Sequence, residues 1–122
     1  MVNWNNYRHF KRSEFDSPDV EGSGDEMQEG FIRMLHRARV LSNTPFKINS
    51  GYRSPSHNQK VGGTPNSSHL KGCAADIHIS SSVQRMKVLA ALVDAGFRRI
   101  GIADTFIHVD NDPSKNDACW TY

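Results

Sequence analysis

Cysteine is scarce in this chain, with two in 122 residues, Cys73 and Cys119. A zinc site closed by four ligands and rich in thiolates is therefore out of reach. The two thiols could bridge in an oxidising compartment, but Cys73 reads as a small strand residue, and free thiols are the expectation. Charge of one sign is also lacking. The formal net charge is +2, which suits mild attraction to an anionic surface. No basic run interleaved with aromatics marks a nucleic-acid groove. Long apolar runs are missing too. No stretch approaches the ~18 residues of a membrane span, and Met1-Val2-Asn3-Trp4 lacks the basic start and apolar core of a secretion signal. Membrane insertion is not expected. Repeats and long linkers are absent, so one domain over 1–122 is the expectation. A chain of this size buries roughly two thirds of its unfolded surface, enough for one core.

What is present sorts into helices and strands. Residues 1–22 are polar, with Trp4, Tyr7, Phe10 and Phe15 as anchors onto the core. Ser23-x-x-Glu26 offers a capping box. Met27, Phe31, Met34, Leu35 and Ala38 then recur at helical spacing, which reads as core packing. Asn43-Thr44-Pro45 ends that helix. Phe46 to Asn49 reads as a short strand, and residues 54–67 as a Ser/Pro/Gly/Asn-rich loop. Ser81-x-x-Gln84 caps a second helix through Val83, Met86, Leu89, Ala90 and Val93, stopped by Gly96. Strands are expected at about 74–79, 98–102 and 106–110. Helices and strands do not alternate regularly, which argues for an α+β fold with a small, mainly antiparallel sheet and two main helices. The C-terminal run to Trp120 and Tyr122 is expected to close one side of a cleft.

The chemistry concentrates in two places. Ser68-His69-Leu70-Lys71-Gly72-Cys73-Ala74-Ala75-Asp76 holds a histidine and a carboxylate; Phe106-Ile107-His108-Val109-Asp110 holds a second histidine. Seven residues separate His69 from Asp76, so one straight strand would point them to opposite faces. A loop carrying His69, a bend at Gly72 and a strand carrying Asp76 lets both reach one ion. On the second strand Ile107 and Val109 face the core, with His108 and Asp110 opposite. If the two strands are neighbours, polar side chains converge on one face. Two imidazoles and a carboxylate, with a fourth position left to water, is the catalytic zinc pattern. Any one of these residues taken alone is more often merely solvated or hydrogen-bonded; the combination is what points to metal-assisted hydrolysis.

These residues carry a resemblance. Ser68-x-His69-x-x-Gly72-x-Ala74-x-Asp76 resembles the first zinc motif of the D-alanyl-D-alanine carboxypeptidase-like zinc peptidases, and His108 resembles their third ligand. The run Asn49-Ser50-Gly51-Tyr52-Arg53-Ser54-Pro55-x-His57-Asn58, with Val61-Gly62-Gly63 and Gly101-Ile102, is similar to the same enzymes. Phe10-x-x-x-Glu14-Phe15 is similar to the opening of small phage and bacterial members. The resemblance implies a compact zinc fold shared with the hedgehog signalling domain. It implies a Zn2+ cofactor held by His69, Asp76 and His108, and hydrolysis of peptidoglycan stem peptides by a D-Ala-D-Ala carboxypeptidase or endopeptidase. It also implies a lytic enzyme of endolysin type, held in the host cytoplasm until release and acting at the bacterial cell wall, as a monomer whose partner is the wall peptide.

One departure stands out. Many family members carry Glu or Asp three residues before the last zinc histidine, as general base; here that residue is Thr105. Asp104 and Asp110 are the alternatives, Asp104 being nearer the usual acidic position. Asp110 has a second reading, as a group that orients a ligand. Arg53 is a candidate for binding a substrate carboxylate or the oxyanion, or for a structural salt bridge. Ser68 either binds substrate or orders its loop, and His78 is either a cleft residue or a solvent-facing strand residue. The missing acid keeps open a non-catalytic zinc module that binds the wall, and a virion tail component is a further reading.

Overall fold

A computed structural model describes all residues, 1–122, as an α+β unit. Three helices are present: α1 (Glu29–Ser42), α2 (Pro55–Lys60) and α3 (Ser82–Asp94). Five strands form one sheet: β1 (Ile48–Ser50), β2 (Ala74–His78), β3 (Arg99–Ile102), β4 (Phe106–Asp110) and β5 (Ala118–Thr121). Their spatial order is β1-β2-β4-β3-β5. All pairings are antiparallel except β3 with β5, which is parallel.

Period-two alternation sorts the sheet into a core face and a cleft face. Ala75, Ile77, Ile100, Ile107 and Val109 are buried in the hydrophobic core. They meet Phe31, Ile32, Leu35 and Ala38 of α1 and Val88, Ala91 and Leu92 of α3. The residues between them on the strands, among them Asp76, His108, Asp110 and Trp120, border a cleft on the other face. The expected neighbouring of the two site strands is found, with Asp76 directly opposite His108. The aromatic anchors of the N-terminal segment also pack as expected. Tyr7, Phe10 and Phe15 are buried, and Trp4 stacks on Phe15 with ring centroids 5.4 Å apart.

Four local readings are corrected. Ser23–Glu26 is a separate 3-10 turn and does not cap α1, which starts at Glu29. The reason is competition for the backbone: the Asp16 carboxylate accepts from the N–H groups of Gly22 and Gly24, and Gln28 N–H donates to the Gly72 carbonyl. Within 54–67 the chain forms α2 rather than continuous loop, because Ser54 Oγ accepts from His57 N–H and Pro55 occupies the first helical position. The face of α3 is rotated from the expected one. Val83, Met86 and Val93 are exposed, and the i, i+3, i+4 set Val88, Ala91, Leu92 is buried. Apolar residues occur around most of this helix, so spacing alone does not select its buried side. Finally, β1 lies slightly later than expected, at Ile48–Ser50, and pairs with β2 through an irregular register.

Candidate metal centre

His69 is delivered by a 3-10 turn, Ser68–Lys71, whose start is capped by Ser67 Oγ accepting from His69 N–H. Gly72 ends the turn in the left-handed region, φ +71°, and a side chain there would also collide with the Glu26 carbonyl oxygen. Only glycine fits both demands, and the bend it makes turns the chain into β2. That is how His69 and Asp76, on different elements, come to face one another.

The three side chains meet closely. One ligand atom from each of His69, Asp76 and His108 lies within 4.8 Å of the others. His69 Nε2 is 3.3 Å and His108 Nδ1 2.9 Å from the same oxygen, Asp76 Oδ1. The outer hydrogen bonds decide what this means. His69 Nδ1 lies 2.7 Å from the Gly51 carbonyl, which can only accept, so Nδ1 carries the proton and Nε2 presents a lone pair. His108 lies between two carboxylates, with Nε2 2.7 Å from Asp110 Oδ2 and Nδ1 2.9 Å from Asp76 Oδ1; with a cation in the site, Asp110 would keep the proton on Nε2 and Nδ1 would present its lone pair. Two imidazole lone pairs and a carboxylate oxygen thus point at one another, an arrangement that calls for a cation between them. With protein alone a proton supplies part of that charge. Burial disfavours the charged His108, but hydrogen bonds to Asp110 and Asp76 outweigh it and raise its pKa. Burial likewise opposes the charge of Asp76, and the two histidines overcome it, holding its pKa well below the usual carboxylate range. The residues present therefore fit a zinc ion bound by His69, Asp76 and His108.

The remaining expected residues divide. Arg53 borders the cleft. Its Nε donates to Ser50 Oγ, Nη1 to Asn58 Oδ1, and Nη2 to Asp76 Oδ2 at 3.5 Å. Three of its five N–H groups are so engaged, and two remain for a ligand in the cleft. Asp110 is buried, and both its oxygens are engaged: it accepts from His108, from Arg99 Nε at 2.8 Å and from Asp112 N–H. Burial works against its charge, and those donors prevail and lower its pKa. Ser68 donates to Asp112 Oδ2 and accepts from Lys115 Nζ, bonds that order its loop, and it also borders the cleft. His78 lies on the cleft face of β2, opposite Phe106, but outside the residues that border the cleft. Asp104 is exposed on the β3–β4 turn and does not border the cleft either. Both cysteines are free, Cys119 exposed and Cys73 buried, and burial pushes the Cys73 thiol up to about 11.

The cleft over the cluster has a volume of about 410 Å³. Polar residues Thr64, Ser67 and Lys115 and aromatic residues Phe106, Trp120 and Tyr122 border it. No motif or spacing marks Arg99, Asp112 or Lys115, which also shape the site. Asp112 is buried and gathers Ser68, Lys71 and both the N–H and hydroxyl of Ser114. It thereby ties the His69 turn to the connection between β4 and β5.

Burial opposes the charge of Asp112, but these donors hold its pKa far below the ordinary value. A carboxylate depressed in the folded state contributes stability above its unfolded pKa of ~3.9 and loses that contribution as pH falls towards the folded pKa. Urea midpoints of the wild type should therefore fall as pH drops below about 4. In Asp112→Asn that fall should be shallower, and an unchanged slope would show that Asp112 is not part of the acid response.

A cluster of two histidines and a carboxylate, open on one side to a cleft on an α+β scaffold, offers the donor set of a catalytic metal site. The family model described as Peptidase M15 matches residues 8–110. The chain belongs to the Peptidase M15 family, and membership implies a zinc metallopeptidase. No curated protein matches the chain significantly. No helix is long and apolar enough to cross a membrane.

Proposed function

We propose that this protein is a zinc-dependent peptidase that hydrolyses peptidoglycan stem peptides, acting as a monomer at the bacterial cell wall as an endolysin-type lytic enzyme. The observation that carries the reading is the convergence of His69 Nε2, Asp76 Oδ1 and His108 Nδ1 at the floor of an open cleft. Bound zinc would polarise the scissile carbonyl and lower the pKa of its water towards ~7. The chain supplies the rest. Gly51 and Asp110 fix the two imidazole tautomers. Arg53 borders the cleft with two N–H groups not engaged within the protein, and these would serve a substrate carboxylate or a developing oxyanion.

The test is zymography on purified wall: lysis lost with chelator and restored by zinc supports the reading, and metal-independent lysis overturns it. Mass spectrometry of the released muropeptides would separate carboxypeptidase action at terminal D-Ala-D-Ala from endopeptidase action. A second reading is favoured by one specific observation. Asp76 and Asp110 are the acidic residues that border the cleft, and both are engaged, so no free carboxylate faces the cluster. A wall-binding zinc module without catalysis would look like this, and would bind wall without releasing peptides.

The position of Asp104 weighs against its being the base. Its exposed position outside the cleft predicts that Asp104→Ala keeps its zinc and its activity within about twofold, as for surface substitutions generally. Loss of most activity in that variant, by the 10²–10⁴-fold that a general base contributes, would return the role to Asp104.

A further inference from the structure

β5 lies beyond residues 8–110 matched by the family model, yet it supplies a wall of the cleft. In register, Asp76 faces His108, His108 faces Gly101, and Gly101 faces Trp120, in one row across four strands. Gly101 is what links the ends of this row. A side-chain carbon there would stand 2.6 Å from Cε2 of the Trp120 indole. Its absence lets the indole lie across β3 and approach His108, with ring centroids 5.6 Å apart. The ring is held in place. The Arg99 guanidinium sits 5.0 Å from its centroid, within cation–π range. Arg99 is itself fixed by Asp110 and by the Asn116 carbonyl. Tyr122 continues the wall outward, its ring 5.1 Å from Phe106 and its surface 69% exposed.

We propose that Trp120 and Tyr122 form a specificity wall, which selects a small aliphatic side chain on the residue flanking the scissile bond. The proposal rests on the peptidase reading above. The cleft is bordered by Arg53, Thr64, Ser67 and Lys115, which offer polar groups to a peptide backbone, and by the rings of Phe106, Trp120 and Tyr122, whose faces offer apolar surface to a side chain. An indole held 5.6 Å from a proposed ligand ring narrows the space beside the reacting bond. On this proposal a methyl group is accepted there, and a branched side chain would meet the fixed ring.

The experiment uses a synthetic stem pentapeptide and an analogue with leucine in place of alanine at the cleaved bond. Trp120→Ala removes the wall, whereas Gly101→Ala displaces the indole without removing it. Both should raise KM for the alanine peptide several-fold and reduce the preference for alanine over leucine about tenfold, the scale of pocket discrimination between aliphatic groups. Zinc content and the unfolding midpoint establish that each variant is folded and loaded. If either fails to fold, Tyr122→Ala, at the exposed rim, should still raise KM. Unchanged KM and unchanged preference in folded, zinc-loaded variants would overturn the wall.

A separate measurement isolates the underlying reading. In Trp4→Phe, Trp120 is the single tryptophan, since the chain has two. Quenching of its fluorescence by the pentapeptide, without cleavage by the wild type, overturns the peptidase reading and with it selection at a scissile bond, and leaves Trp120 as part of a peptide-binding surface. Cleavage with unchanged variants overturns the wall alone, and neither cleavage nor quenching overturns both.

Discussion

Replacing His69, Asp76 or His108 with Ala should each abolish zinc binding and wall lysis. The three supply the converging ligand atoms, and three ligands make one site, so the wild type should bind about one zinc ion. Each loss also leaves the surviving partners badly placed. Without Asp76, the lone pairs of His69 and His108 face each other with no carboxylate to share the ion. Without His108, Asp110 and Arg99 stay paired beneath an incomplete site. Zinc bound only by the folded state stabilises by mass action, about 2.7 kcal/mol at a hundredfold excess over Kd. For a domain of this size that corresponds to roughly 10 °C in Tm. The wild type should therefore lose about that much on chelation, and the three variants should be indifferent to zinc. Full occupancy and activity in His69→Ala would overturn the ligand assignment. Metal analysis and a thermal scan with and without chelator suffice to decide it.

The ligands were legible because their signals are local and periodic. Alternation along Ala74–His78 and Phe106–Asp110 placed Asp76 and His108 on one face, and Gly72 announced the bend that brings in His69. The core face of the sheet and the buried stripe of α1 followed from the same periodicities. What escaped the sequence was pairing between distant groups. The bond from Arg99 to Asp110 depends on β3 lying beside β4 in one register. The Asp112 cluster joins residues more than forty positions apart, and no spacing rule finds it. The face of α3 was lost because its apolar residues do not form a single stripe. The start of α2 was a missed local signal: Ser54 followed by Pro55 is an N-cap with proline at the first helical position. The base was unreadable for another reason. Choosing between Asp104 and Asp110 needed their exposure and partners, which only the fold fixes.

Asp110→Ala should weaken zinc binding by about 10–100-fold, the usual cost of removing a carboxylate that orients a ligating histidine. With a cation in the site, Asp110 Oδ2 would keep the proton on His108 Nε2, which leaves Nδ1 to present its lone pair. Without it the ring is free to take the other tautomer or to turn away. The metal-free protein should also lose roughly 3–5 kcal/mol of stability, because Arg99 is largely buried and would lose its charge partner. Asp110→Asn keeps the volume and one acceptor for His108 but not the charge facing Arg99. It should fall between wild type and Asp110→Ala in both zinc affinity and stability. A general base would behave differently, since its loss removes activity while zinc affinity stays at the wild-type level. Zinc titration of both variants, read beside muropeptide release, separates the roles. Wild-type affinity with activity lost would make Asp110 the base. Weakened affinity, with activity recovered at saturating zinc, would make it the residue that sets His108 for the metal. The second outcome is expected, because both Asp110 oxygens already accept hydrogen bonds, from His108, Arg99 and the Asp112 N–H, and its side chain is only 1% exposed where it borders the cleft.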